Sequence, residues 1–171
     1  MRRAILGGCL AAILVVGLAP GARASDADLL REMKDRAEIE QLMWRYVRAL
    51  DTLNEDAYAA VYTPDGSFGS GPTLSKGRDA LKKIVTDVKK RRAEQEAKGE
   101  KPTKMHHIIT NTYLEFIDKD HARLNSYWMT VFEGAGPEKP PRVAAAGRGV
   151  DELVRLNGKW LISARDVAPK D

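Results

Sequence analysis

Cysteine is nearly absent from this chain: Cys9 is the single one, and it lies within an apolar N-terminal run. A folded part without a thiol has no disulfide to hold it, no cysteine nucleophile and no thiolate ligand for a metal. Histidine is almost as scarce, with three in 171 residues. His106, His107 and His121 show no consistent ligand spacing, so no zinc or other metal site is expected. Neither a phosphate loop nor a dinucleotide fingerprint is present, and no cofactor is expected. The strongly basic cluster Lys89-Lys90-Arg91-Arg92 is followed by Glu94, Glu96 and Glu100, with no aromatic residue among them. That mixed-sign stretch reads as a solvated helix end rather than a nucleic-acid surface.

Residues 1–24 read as a signal peptide. Arg2 and Arg3 form a basic start, Ala4 to Leu18 is apolar but short for a membrane span, and Ala22-Arg23-Ala24 is a small-x-small cleavage pattern. Leu6-Gly7-Gly8-Cys9 resembles a lipobox, yet most of the apolar sequence follows its cysteine, the reverse of what lipoprotein processing needs. Cleavage after Ala24 predicts a periplasmic or secreted protein with no membrane partner, and Cys9 leaves with the signal. The chain has 28 basic and 24 acidic side chains, and removing Arg2, Arg3 and Arg23 leaves 25 against 24. The basic balance therefore belongs mostly to the signal and gives little support for a nucleic-acid partner.

What remains, residues 25–171, suits one domain with a substantial core and shows no internal repeat. Ser25 or Asp26 is placed to cap a helix running toward Leu50, with Ile39, Leu42, Met43, Tyr46, Val47 and Leu50 as one buried stripe. A short second helix is expected over Ala57 to Tyr62, then a strand around Phe68, then an amphipathic helix from Arg78 that buries Leu81, Ile84, Val85 and Val88. From Met105 the period becomes strand-like: Met105 to Ile117, His121 to Phe132, Val143 to Leu156 and, after the hairpin signal Asn157-Gly158, Lys159 to Val167. Helices followed by an antiparallel meander predict an α+β domain with helices on one face of a curved sheet.

Two of the three histidines fall in Met105-His106-His107-Ile108-Ile109-Thr110-Asn111. Strand alternation puts His107, Ile109 and Asn111 on one face and His106, Ile108 and Thr110 on the other. One of the two can therefore face a core or pocket while its neighbour faces away, and His121 is expected to be exposed at a turn. Histidine suits proton transfer near neutral pH.

The strings Tyr46-Val47-Arg48-Ala49-Leu50-Asp51, Asp56-Ala57-Tyr58 and Tyr62-Thr63-Pro64-Asp65-Gly66 resemble the opening of the SnoaL-like branch of the nuclear transport factor 2 (NTF2)-like superfamily. The histidine strand, Gly147-Arg148, Asp151-Glu152-Leu153-Val154-Arg155, Asn157-Gly158-Lys159-Trp160 and Arg165 are similar to the same branch. The resemblance implies an NTF2-like cone, with N-terminal helices packed on a highly curved antiparallel sheet enclosing a pocket, and often a homodimer. Function is not implied by that fold, which serves dehydratases, isomerases, cyclases, hydrolases and plain binding proteins.

Within the branch, the chain resembles the scytalone dehydratase and bile acid 7α-dehydratase families. Asp51 and His107 match their aspartate–histidine pair, and Tyr46 matches the bile acid enzymes' active-site tyrosine. Dehydrating a β-hydroxy carbonyl compound needs a base for the α-proton, an acid for the departing hydroxide and a donor for the enolate oxygen. The resemblance implies His107 as proton carrier, Asp51 as its orienting partner and Tyr46 as donor. Each has a structural alternative: a core histidine, the cap of the following helix, and a buried aromatic.

Departures from those families are equally legible. No second histidine lies in Leu124 to Phe132, and Gly147 and Gly149 stand where the fungal enzyme has serine and asparagine. With Ala144, Ala145 and Ala146 they imply a roomy, sparsely polar pocket for a hydrophobic small molecule. Asn125, Tyr127 and Asp151 are the candidate polar substrate contacts on neighbouring strands, and Arg148 and Arg165 fit the family pattern without an assigned role. Three functions fit: a cofactor-independent lyase or isomerase acting by proton transfer on a hydrophobic carbonyl compound, a non-catalytic carrier of a small apolar ligand, or a protein–protein adaptor using the open sheet face.

Overall fold

The computed structural model describes residues 25–134, 136 and 138–170. The expected signal peptide and Cys9 lie outside the described residues. Helix α1 spans Asp26–Asp51. Its start is set by a capping box: the Ser25 hydroxyl accepts from the Asp28 N–H and the Asp28 carboxylate accepts from the Ser25 N–H. Ile39, Leu42, Met43, Tyr46 and Val47 are buried as the three-and-four spacing requires. Helix α2 spans Glu55–Ala60, earlier than expected, because Asn54 accepts from the Ala57 N–H at 2.9 Å and starts the helix there.

Strand β1 (Tyr62–Phe68) leads through the short β2 (Ser75–Lys76) to helix α3 (Arg78–Ala97), whose Leu81 and Val85 are buried. Strands β3 (Met105–Phe116), β4 (His121–Phe132), β5 (Arg142–Leu156) and β6 (Lys159–Asp166) follow as antiparallel neighbours. At the last turn Asn157 and Gly158 have φ of 51° and 76°, the left-handed pair that a two-residue hairpin demands. The curved sheet has the order β2-β1-β6-β5-β4-β3 and is not closed.

The sheet departs from the expected antiparallel meander in one pairing. β1 runs parallel to β6. That pairing joins segments about a hundred residues apart, with α3 and four strands between them, so no local pattern announces it. The fold is α+β, with the helices packed on a mixed, curved sheet.

A second departure sits in β3. Its register with β4 shifts between Thr110 and Tyr113, and Asn111 takes φ of 50°, so one extra residue bulges from the strand. The bulge inverts the side-chain phase. Ile109 before it and Leu114 after it both pack on the core, where strict alternation would separate them. Because β3 is the edge strand, α1 lies alongside it in the opposite direction. Arg36 stacks over Phe116 at one end, 5.2 Å from the ring centroid, and Asp51 meets His107 at the other.

Candidate active site

Asp51 is the last residue of α1, where the negative end of the helix macrodipole disfavours a carboxylate. It does not cap α2, since Asn54 does. Its Oδ1 instead accepts two hydrogen bonds from the β3 edge: the His107 backbone N–H at 3.0 Å and His107 Nδ1 at 2.8 Å. The Asp51 side chain is 9% exposed and that of His107 20%, so the pair is shielded but open to a small molecule. With Nδ1 carrying the hydrogen for Asp51, Nε2 keeps the lone pair and is the reactive nitrogen.

His107 stands at one end of a groove of about 900 Å³ between α1 and β3. Ile39, Met43, Val47, Ile109, Leu114 and Leu124 supply apolar lining, while Arg36, Glu40, Gln41 and Thr112 are among its polar residues. Trp44, 65% exposed, also lines it, which is unusual for so large an apolar ring. The volume falls in the range of small-molecule sites.

Tyr46 is buried and does not join the pair. Its hydroxyl interacts with Arg165 and Tyr58, and its ring lies 4.5 Å beneath the Arg165 guanidinium. Burial raises the Tyr46 hydroxyl above the usual phenol value, with Arg165 working against the rise. Asp151, fully buried, forms an ion pair with Arg165 and so does not line the groove. Burial pushes its carboxyl up and Arg165 pulls it back. Asp151 Oδ1, Arg165 Nε and the Ser126 hydroxyl have no protein hydrogen-bond partner.

Asn125 and Tyr127 are not brought to the pair either. In β4 the buried residues are Ala122, Leu124 and Ser126, so Asn125 and Tyr127 alternate onto the opposite face, where Tyr127 is exposed. Arg148 pairs with Tyr127 in register and is exposed as well.

The expectation of a roomy pocket over Gly147 and Gly149 is corrected by Trp128. Its indole lies over both glycines, and its N–H donates to the carbonyls of Arg148 (3.1 Å) and Val167 (3.0 Å). A Cβ on Gly147 would stand 2.9 Å from that ring. These glycines leave room for a tryptophan. Gly147→Ala is expected to displace the indole and to destabilise the fold by about 1–3 kcal/mol. Urea unfolding with tryptophan fluorescence checks this; an unchanged midpoint and emission maximum would refute it.

Two residues near the pair were not expected there. His106 Nε2 lies 2.7 Å from Glu133 Oε1, and His106 Nδ1 lies 3.9 Å from Asp51 Oδ2. Antiparallel pairing of Met105 with Phe132 is the signal that could have placed Glu133 beside them. His121 pairs with Asp118 at the distant hairpin.

Helices covering one face of an open curved sheet are the NTF2-like fold. The chain belongs to the SnoaL-like domain family, whose model matches residues 31–166. Solved structures agree on the fold. An NTF2-like protein with a cystatin-like fold from Novosphingobium aromaticivorans aligns with a TM-score of 0.68 and 23% identity over 85% of this chain and 88% of that one. A provisionally assigned scytalone dehydratase from the same organism aligns with 0.64 and 22% over 81% and 85%. LinA aligns with 0.63 and 21% over 80% and 86%. No curated protein sequence matches the chain significantly.

Proposed function

We propose that this chain is a cofactor-independent lyase or isomerase that moves a proton on an elongated, apolar carbonyl compound. The observation that carries the reading is the 2.8 Å contact between His107 and Asp51 at the end of an apolar groove. From Arg36 to Val47 the groove follows twelve residues of α1, roughly 16 Å at helical rise. A long or polycyclic ligand laid along it places one end at His107 Nε2.

For a β-hydroxy ketone, Nε2 takes the α-proton, the electron pair forms the new C=C bond, and the C–O bond to the hydroxyl breaks. The imidazolium returns the proton to the departing hydroxide as water. Asp51 stabilises the imidazolium between those steps. Returning the proton to carbon instead gives an isomerase. A solved neighbour provisionally assigned as a dehydratase is consistent with this chemistry.

Binding without turnover is the competing reading, and the position of Tyr46 favours it, because its hydroxyl is engaged by Arg165 and Tyr58 rather than the pair. The two separate in one experiment. With a polycyclic β-hydroxy ketone as probe, enone formation is followed by absorbance, and affinity by calorimetry. His107→Ala is expected to lower turnover roughly 10³-fold while affinity persists. Tight binding with unchanged ligand mass in the wild type would establish a carrier instead.

A further inference from the structure

Adjacent strand residues point to opposite faces, yet His106 and His107 both approach Asp51. They do so because β3 is the edge of the sheet and Asp51 stands beside that edge rather than over either face. Oδ1 of Asp51 is occupied by His107, through its ring and its backbone N–H. Oδ2 faces His106 Nδ1 at 3.9 Å. The second oxygen therefore has a cationic neighbour whenever His106 is protonated.

Glu133 decides how His106 is presented. It follows β4, and its backbone N–H donates to the Lys104 carbonyl at 2.9 Å, so its position is tied to the start of β3. The His106 contact, with Lys104 nearby, holds the Glu133 carboxyl below the usual range. An ionised Glu133 only accepts, so His106 Nε2 must carry a hydrogen. The other nitrogen, Nδ1, then meets Asp51 with a lone pair in the neutral ring and with an N–H in the imidazolium. Only the imidazolium attracts both carboxylates.

Resting on the reading of Asp51 and His107 as the reactive pair, we propose that the His106 imidazolium, held by Glu133, is a positioning residue that keeps the Asp51 carboxylate aimed at His107. The four side chains then form one array, Glu133–His106–Asp51–His107, running from solvent to groove. His106 and Glu133 are both more than two-fifths exposed, and ion pairs so exposed contribute little to folding. A purely structural role thus predicts little effect of either side chain on the His107 ring.

The test needs no substrate. In ¹⁵N-labelled protein, the His107 Nδ1–H proton resonance and the two ring nitrogen shifts report the hydrogen bond to Asp51 and the tautomer. Loss of that signature in Asp51→Ala establishes the pair. In His106→Ala and in Glu133→Ala, the Nδ1–H resonance is expected to broaden into exchange with water and the ring nitrogens to move toward a tautomer mixture. The melting temperature should stay close to wild type. Glu133 lies outside the strand, so its variant tests the array even where His106→Ala disturbs β3. His121→Ala, which removes the histidine paired with Asp118, is expected to leave the signature unchanged. An unaltered His107 signature in both His106→Ala and Glu133→Ala overturns the positioning role while leaving the pair standing. Absence of the signature from wild type would overturn the pair and the array together.

Discussion

Replacing Asp151 with alanine is expected to cost about 3–5 kcal/mol of folding stability, the penalty of breaking a buried ion pair from one side. Asp151 and Arg165 are cross-strand neighbours of β5 and β6 and are almost wholly inaccessible to solvent. Burial works against the Arg165 charge, yet Tyr46, Asp151 and Tyr62 together hold its guanidinium above its ordinary value. A guanidinium is not deprotonated in proteins, so the cation stays when its carboxylate is removed. Its remaining neighbours are aromatic: Tyr46 beneath it, and Tyr58 and Tyr62 in ring contact with Tyr46. The Tyr58 and Tyr62 hydroxyls are bonded to each other at 3.1 Å, so neither is a ready substitute for the lost acceptor.

The same argument predicts that a double replacement, Asp151→Leu with Arg165→Met, recovers most of the loss, because an apolar pair of similar volume has no charge to desolvate. Chemical denaturation of the two variants checks both statements. A single-variant cost below about 1 kcal/mol would mean that Arg165 finds water or another acceptor, as expected of an exposed pair. Asp151 thus serves the core, as the buried counter-charge of the guanidinium that lies over the Tyr46 ring. Direct substrate contact, expected from its place on a central strand, does not follow from its burial.

Much of the fold was legible in the residues themselves. The spacing of Ile39, Leu42, Met43, Tyr46 and Val47 carries the period of α1, and Asn157-Gly158 carries its hairpin. Local periodicity has no information about what meets across the sheet. The parallel β1–β6 pairing and the Asn111 bulge are of that kind, and the bulge changes which residues share a face. Asn125 and Tyr127 were named without a strand register, and one residue of alternation moves a side chain from one face to the other. Gly147 was misread because a glycine looks the same in sequence whether a ligand or a tryptophan fills the space above it. Asp51 and His107 lie 56 residues apart, and nothing in either segment alone joins them. Their pairing was visible only through the family resemblance.

If the proposed proton transfer is correct, Asp51→Ala is expected to lower kcat roughly 10³- to 10⁴-fold, and Asp51→Asn by a smaller factor, roughly 10². The difference arises from the second hydrogen bond. In a triad whose carboxylate is replaced by an amide, the usual failure is presentation of the amide N–H to the histidine. Here the His107 backbone N–H points at the same oxygen as Nδ1, so an asparagine is favoured with its oxygen in place. Its amide nitrogen then takes the Oδ2 position, facing His106 Nδ1. The tautomer survives and only the charge is lost. Asp51→Ala removes both. Neither change should unfold the protein, because a carboxylate at a helix C-terminus is itself disfavoured by roughly 0.3–1 kcal/mol. Steady-state kinetics on both variants, with melting temperatures alongside, tests this. Equal losses in the two variants would assign the whole effect to charge. Near-wild-type kcat in both, with ligand still bound, would leave the pair as a structural latch between α1 and the edge of the sheet.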